Sequence, residues 1–463
     1  MYDDFLAKKF RSAAAVGFAA GDLHPRLFPH QIDLVRWATR KGRAAIFADT
    51  GLGKTAMQLE WARLVVAHSG RPVLIVAPLA VTAQTAREGR TMGIDVHVSR
   101  DGKMRDGINA INYDRLHLIE DASAFGGVVL DESSILKSYD GAMRAMIIEQ
   151  FIATPFRLAC TATPAPNDWT ELGNHAEFMG VCSRTEMLAT YFCHDGGETS
   201  VWRLKGHAQS DFWRWVASWG AVVRMPSDLG HDDAGYALPP MTWTDHRVDV
   251  DTQMAHDAGL LFLGSVVALD EQRAVRRSTL VARVAAVAEI VSREPGEPWL
   301  IWCELNDESD ALAASIPGSV VVQGADTPEE KAERMVGFAD GKYRVLISKP
   351  KICGFGMNFQ RCARMAFVGP SHSYEMTYQA VRRCWRFGQS RPVHVHVVAS
   401  TADGAIVANY RRKEADAKTM QASMVVAMSE VVRAEVSGTA RVTDGYAPDV
   451  SMVVPEWLFG GAR

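Results

Sequence analysis

Ala48-Asp49-Thr50-Gly51-Leu52-Gly53-Lys54-Thr55 follows the short apolar run Ala44-Ala45-Ile46-Phe47 and opens into a helical pattern. A strand, a glycine-rich turn and a helix start, in that order, are what phosphate binding requires. The glycines let backbone N–H groups approach the phosphates, and the helix N-terminus favours an anion. In this reading Thr50, Gly51, Leu52 and Gly53 form the cradle. Lys54 reaches the β and γ phosphates, and Thr55 holds Mg²⁺. The general pattern has glycine where Ala48 stands, and a chance Gly-x-Gly-Lys-Thr turn is the competing explanation.

Outward from this loop, apolar runs suited to buried parallel strands recur at Val73–Val76, Val128–Leu130 and Phe156–Ala159, with helical patterns between them. The theme returns at Trp299–Trp302, Val320–Val322, Val345–Ile347, Met365–Val368 and Val393–Val398. Strands alternating with helices predict parallel sheets covered on both faces. The expected fold is therefore α/β, with two parallel-sheet domains in tandem. The predicted boundaries are 1–225 for the first domain, 226–280 for a connector and helical region, 281–430 for the second domain and 431–463 for a tail without a legible motif. From about residue 169 the first domain carries a tryptophan-rich insert (Trp169, Trp202, Trp213, Trp215, Trp219). Clustered tryptophan packs a core more often than it stacks on bases.

Composition sets few limits. The chain has 463 residues, 48% hydrophobic and 22% charged, as expected of a globular protein of two or three domains. Its seven cysteines include no Cys-x-x-Cys pair, so neither a zinc site nor a disulfide framework is signalled and a reducing cytoplasm is expected. No apolar run approaches the roughly 18 residues of a membrane span. The N-terminal Met1-Tyr2-Asp3-Asp4 places acids ahead of any apolar stretch, unlike a signal peptide. A net charge of −4 means that any nucleic acid must meet a local basic surface.

Two further motifs carry chemistry. Gly127-Val128-Val129-Leu130-Asp131-Glu132 is an apolar strand delivering two acids at its C-terminal end, where ligands bind in parallel sheets. Asp131 suits a magnesium shell, and Glu132 suits a base for the attacking water. Alone, such a pair marks a solvated loop start; its weight comes from following the phosphate loop. In Gln379-Ala380-Val381-Arg382-Arg383-Cys384-Trp385-Arg386-Phe387-Gly388-Gln389, a helix would put Gln379, Arg383 and Arg386 on one face. Arginines so placed can neutralise γ-phosphate charge from a second domain, although a solvated basic helix has the same pattern.

Together, and in this order, these motifs resemble the superfamily-two helicases, and in particular their Swi/Snf-like branch. Phe28-Pro29-His30-Gln31 resembles the segment whose glutamine reads the adenine edge, which gives Gln31. Ala77-Pro78-Leu79 and Ile111-Asn112-Tyr113 resemble strand-end loops on the nucleic-acid backbone, which gives Pro78 and Asn112. Cys160-Thr161-Ala162-Thr163-Pro164 resembles the element coupling ATP to nucleic acid, through Thr161 and Thr163. Cys353-Gly354-Phe355-Gly356-Met357-Asn358-Phe359 resembles a glycine-rich motif of the second domain. It gives Gly356 at the nucleotide and Gly354 and Asn358 at nucleic acid. Arg383-x-x-Arg386-x-Gly388-Gln389 is the most branch-specific piece. The resemblance spans residues 28–389. Two departures stand out: Asp131-Glu132-Ser133-Ser134 replaces Asp-Glu-Ala-His or Asp-Glu-Ala-Asp, and Cys353 replaces a glycine. The changed acidic motif leaves open how it links to the coupling element.

The resemblance implies ATP and Mg²⁺ as cofactors and DNA as partner, duplex with weak sequence preference. It implies that Glu132, Lys54, Arg386, Arg383 and Gln379 do the chemistry. Lys351, Arg361 and Arg364 are candidates for the local basic surface. An RNA-directed or strand-separating motor of the same superfamily is the alternative, and a nucleotide-dependent binding module without turnover is a third. No membrane partner is expected, and oligomeric state is not legible.

Overall fold

The structure is a computed structural model. It describes residues 13–137, 141–166, 168–195, 198–248, 276–353, 358–369, 371, 373–400 and 403–437. Gly354 and Gly356 fall outside these residues.

The first domain runs α1 (Pro29–Lys41), β1 (Arg43–Ala48), α2 (Lys54–Ser69), β2 (Val73–Ala77), α3 (Leu79–Thr91), β3 (Val96–Val98), β4 (Ile108–Asn112), β5 (Gly127–Asp131), α4 (Ala142–Gln150) and β6 (Phe156–Cys160). It continues through α5 (Leu172–Met179), α6 (Arg184–Tyr191), the hairpin β7 (Phe192–Asp195) and β8 (Glu198–Leu204), α7 (Gln209–Ala217) and β9 (Gly220–Val223). Seven of its strands form a parallel sheet in the order β3-β4-β2-β5-β6-β1-β9. β2, β4, β5 and β6 are buried at every residue, the result of helices covering both faces. The strand order places β1, which leads into the phosphate loop, two strands from β5, which delivers Asp131, with β6 between them. The two motifs therefore open on the same edge.

The tryptophans of the insert are mainly core. Trp213, Trp215 and Trp219 are buried among the first-domain residues, and Trp219 meets Phe47 of β1 edge-on at 6.1 Å between ring centres.

The second sheet uses β10 (Met241–Val248), then α8 (Leu280–Ser292), β11 (Trp299–Trp302), α9 (Asn306–Ser315), β12 (Ser319–Val322), α10 (Pro328–Asp340), β13 (Val345–Ser348), α11 (Pro350–Cys353), β14 (Arg364–Phe367), α12 (Tyr374–Val381), β15 (Val393–Ser400) and α13 (Gly404–Ser437). Its order is β10-β15-β14-β11-β13-β12, again parallel. Local signals place these elements where sequence expects them. Thr327 and Glu330, for example, exchange hydrogen bonds across the first turn of α10, the Glu330 N–H donating to Thr327 Oγ1 at 3.3 Å. β10 lies within the stretch read as connector, yet it forms the sheet edge beside β15. Apolar side chains pack on both faces of this sheet. A buried Arg276–Glu308–Arg283 network, with bonds of 2.8 Å, ties α8 to α9.

α13 departs most from expectation. It leaves the second domain beside β15, but Met424, Met428, Val432 and Val436 pack into the first-domain core. Residues 431–437 of the expected tail are thus helix packed against the first domain. Among the described residues, no helix is long and apolar enough to cross a membrane.

Candidate active site between the two domains

Where β1 ends, the chain turns through Asp49–Gly53 into α2. Gly51 has φ +99°, and a Cβ there would come within 3.0 Å of Phe387 from the second domain. Gly53 has φ +78°, and a Cβ would sit 2.2 Å from the Gln31 amide nitrogen. Both conformations favour glycine, and a Cβ at either would crowd a neighbouring side chain. Lys54 Nζ donates to the Ala48 carbonyl at 2.9 Å, so the ammonium lies folded over the loop. Leu52 turns its side chain into the core, and its carbonyl accepts from Gln31 Nε2 at 2.9 Å. Gln31 Oε1 accepts from the Phe28 N–H at 3.0 Å. Its amide thus ties the loop at Leu52 to the start of α1 at Phe28, while the residue lines the cavity beside it.

β5 delivers Asp131, nearly buried. Its Oδ1 accepts from Gln58 Nε2 at 2.7 Å and from the Glu132 N–H at 3.1 Å, and its carbonyl accepts from the Tyr113 hydroxyl at 2.7 Å. Glu132 has φ +51°, the only positive φ outside glycine among the described residues. A side chain held there costs about 1–3 kcal/mol, a strain that concentrates at functional sites. Burial pushes both carboxyls above the usual range, opposed by Gln58 at Asp131 and by Lys54 and Arg383 at both.

The second domain faces these groups across the cleft. Sequence predicts Gln379, Arg383 and Arg386 on one helical face, but α12 ends at Val381 and both arginines stand on the turns that follow. They still arrive at the cavity, which both line. Gln379 Nε2 approaches Glu132 Oε2 at 3.5 Å. Arg383 is engaged within its own domain, donating to the Gln379 carbonyl at 3.1 Å and to its Oε1 at 3.0 Å. Burial, with Arg386 beside it, lowers its guanidinium to about 10, still charged at neutral pH. Arg386 lines the cavity with its Nε buried and without a hydrogen-bond partner. Burial lowers this guanidinium too, and the nearby Glu88 opposes the shift.

Between the domains lies an open cavity of about 510 Å³. Thr50, Gly51, Gly53, Lys54 and Thr55 line one side, Asp131 and Glu132 the floor, and Asn358, Arg383 and Arg386 the far wall. One end is aromatic: Tyr236 and Phe387 lie 4.7 Å apart between ring centres, with Phe28 edge-on to Tyr236 at 6.0 Å. A nucleotide-sized ligand fits these surfaces, with its base at the aromatic end and its phosphates at the loop. Thr55 and Asp131 offer hard oxygen donors in the same cavity, the set Mg²⁺ takes alongside phosphate oxygens. No group of three or more His, Cys, Asp or Glu among the described residues makes a self-contained metal centre. Magnesium held partly by phosphates does not require one.

The altered acidic motif has its own link. Ser133 Oγ lies 3.0 Å from His175 Nε2 on α5, and His175 stands edge-on to Phe47 of β1. Burial lowers this imidazole to about 4, so it is neutral at physiological pH. The Thr163 N–H donates to Thr161 Oγ1 at 3.1 Å, and the Thr163 hydroxyl is buried without a partner. Pro78 and Asn112 follow or end β2 and β4, whose register pairs Ala77 with Asn112, so the two lie on one sheet edge. Asn358, expected at nucleic acid, is exposed on the cavity wall. Lys351 and Arg361 are exposed. Arg364 is a correction: it begins β14, and its Nε donates to Glu294 at 2.5 Å, at the end of the sheet opposite the strand C-termini.

Several residues at the site were not singled out in the sequence. Gln58 stands one helical turn after Lys54, a spacing that could have flagged it. Tyr113, Tyr236 and Phe387 carry no chemical pattern of their own, and only the fold brings them in. Asp49, within the phosphate loop, is also unassigned by motif.

Residues 282–388 match the family model of the helicase conserved C-terminal domain. No curated protein matches the chain. Among solved structures, the SWI2/SNF2 ATPase core of Sulfolobus solfataricus in complex with dsDNA is similar at 16% identity and a TM-score of 0.41, covering 86% of this chain and 96% of that one.

Proposed function

We propose that this chain, a superfamily-two helicase by its conserved C-terminal domain and its ordered motifs, is a DNA-dependent ATPase of the Swi/Snf-like kind that couples hydrolysis to movement along duplex DNA. One observation carries the reading. A single cavity joins the Lys54 loop and the Asp131–Glu132 pair of one domain to Arg383 and Arg386 of the other.

Such a cavity works only when both halves are present. Lys54 neutralises the β and γ phosphates, and Thr55 and Asp131 would hold Mg²⁺. When bound, that ion offsets charge on the phosphate oxygens. Glu132 takes the proton of the attacking water, and Gln379 helps hold its carboxylate. Arg386 meets the charge that develops on the transferred phosphoryl group. Loss of that charge after hydrolysis removes the attraction between the domains, and the cleft relaxes. Repeated closure would shift contacts that the strand-end loops at Pro78 and Asn112 make with nucleic-acid phosphates, giving movement with weak sequence preference.

Glu132→Gln separates binding from chemistry. It keeps the side-chain shape and leaves Asp131 in place, so ATP should still bind while turnover falls by about 10²-fold or more, the scale of a lost general base. Loss of nucleotide binding alongside turnover would assign Glu132 to structure or to the metal. Because burial raises this carboxyl, the wild-type rate should decline with falling pH sooner than for an ordinary glutamate.

The duplex track rests on the Arg383-x-x-Arg386-x-Gly388-Gln389 ending and on the two domains occupying most of the motif-bearing chain. ATPase should be stimulated more by duplex than by single-stranded DNA or RNA, and DNA affinity should fall steeply with salt. Displacement of a triplex-forming strand from duplex DNA is the expected activity. Efficient unwinding of a tailed duplex without triplex displacement would overturn the duplex track in favour of strand separation.

A further inference from the structure

Arg382, the neighbour of the cavity arginine Arg383, points away from the cavity and crosses to the other domain. Its Nη2 donates to Asp49 Oδ2 at 2.6 Å. Asp49 Oδ1 accepts from the Tyr378 hydroxyl at 2.5 Å and from its own neighbour, the Thr50 N–H, at 2.6 Å. Asp49 is the first residue of the phosphate loop after β1, and Tyr378 and Arg382 flank Gln379 at the end of α12. The ion pair is well covered, with the Arg382 and Asp49 side chains 8% and 22% exposed. Arg382 is held on two sides, lying 4.6 Å from the centre of the Trp385 ring and 5.2 Å from that of Tyr378. Trp385 in turn donates to the Pro239 carbonyl at 2.7 Å.

We propose that Arg382 and Tyr378 are positioning residues, fixing the arginine-bearing segment of the second domain to the phosphate loop through Asp49. This rests on the functional reading above. The geometry makes the coupling direct. Thr50, whose amide Asp49 orients, lines the cavity. On the other side, Arg382 is joined by one peptide bond to Arg383, and Gln379 lies one residue beyond Tyr378. A shift of the loop therefore pulls on the residues that carry Arg383, Arg386 and Gln379. A second tie on α12, the Lys137–Glu375 pair, reaches the segment that follows the acidic motif. The Asp49 contact differs because it ends on the phosphate loop itself. The planar guanidinium suits a site with a carboxylate at its edge and rings on its faces, a combination lysine cannot reproduce.

The test compares Arg382→Gln, Asp49→Asn and their double variant, with Arg382→Lys and Tyr378→Phe beside them. Removing one partner of a covered pair strands the other, so Arg382→Gln should lower kcat by about tenfold or more with the KM for ATP changed less than about twofold. The double variant should be no worse than the more impaired single variant, because both remove one interaction. Tyr378→Phe deletes one hydroxyl without disturbing the core, and should lower kcat by about fivefold, the scale of one hydrogen bond. Arg382→Lys should restore little.

A second readout does not depend on turnover. Dyes at Ile152 and Val281, exposed positions of the first and second domains, report domain separation in the presence of a non-hydrolysable ATP analogue. Arg382→Gln should reduce the closed fraction. Multiplying single-variant effects in the double, a raised KM at unchanged kcat, or wild-type closure in Arg382→Gln would each overturn the proposal. If the unaltered protein shows no nucleic-acid-stimulated ATPase, the functional reading fails, while the closure measurement still decides the role of Arg382.

Discussion

Arg386→Ala is expected to lower ATP turnover by about 10³-fold while leaving nucleotide affinity within a few-fold, the scale of arginine fingers in phosphoryl transfer. The two cavity arginines are not equivalent. Arg383 is held by the Gln379 carbonyl and side chain, and through Gln379 it stands behind Glu132. Arg386 lines the same cavity with a buried Nε that has no hydrogen-bond partner. A guanidinium lining the cavity can pair with a negative group that enters it. The gain is largest when charge on the phosphoryl oxygens is largest, so the effect falls on turnover rather than on binding. Steady-state ATPase and equilibrium binding of a fluorescent nucleotide read the two separately. Normal hydrolysis by Arg386→Ala together with inactivity of Arg383→Ala would transfer the finger role to Arg383.

Lys54→Ala should be about as severe, with a loss of roughly 10³-fold in kcat/KM, and here binding should suffer as well. Lys54 is the first residue of α2, and its ammonium lies 2.9 Å from the Ala48 carbonyl, directly over the loop. It also offsets the carboxylates of Asp131 and Glu132. Alanine removes a cation from the phosphates and lets both acids shift further up, which impairs the base as well as the binding loop. Alanine is a good helix former, so the fold should survive and the thermal melting point should stay near that of the unaltered protein. Turnover close to the unaltered rate would remove Lys54 from the phosphates and sink the assignment of the loop.

Much of this architecture is legible residue by residue, because it depends on short-range rules. Runs such as Val73–Val76 and Trp299–Trp302 are too apolar and too short for anything but buried strands between helices, and they became β2 and β11. Gly51 and Gly53 flag a positive-φ backbone that side chains rarely adopt. An acid pair closing an apolar strand falls at the binding edge because all strands of a parallel sheet end on that side. From these facts follow the two α/β domains and the position of Lys54, Asp131 and Glu132.

Which charge meets which partner was decided only by the tertiary structure. Arg382, Arg383 and Arg386 lie within five residues and are chemically identical, yet one binds Asp49, one Gln379, and one stands at the cavity with its Nε unpartnered. A continuous helix was expected to group Gln379, Arg383 and Arg386 on one face, but α12 stops at Val381, and both arginines reach the cavity from the turns that follow it. Arg364, basic and near the glycine-rich motif in sequence, pairs with Glu294 at the other end of its sheet. Leu52, inside the phosphate loop, contributes its carbonyl and buries its side chain. β10 joins its sheet from the connector, and α13 returns to the first domain, through contacts between residues more than a hundred positions apart. Periodicity and propensity report how one segment shares itself between core and water. They carry no information about which distant segment will stand opposite, and the pairing of buried charges across the cleft depends on that alone.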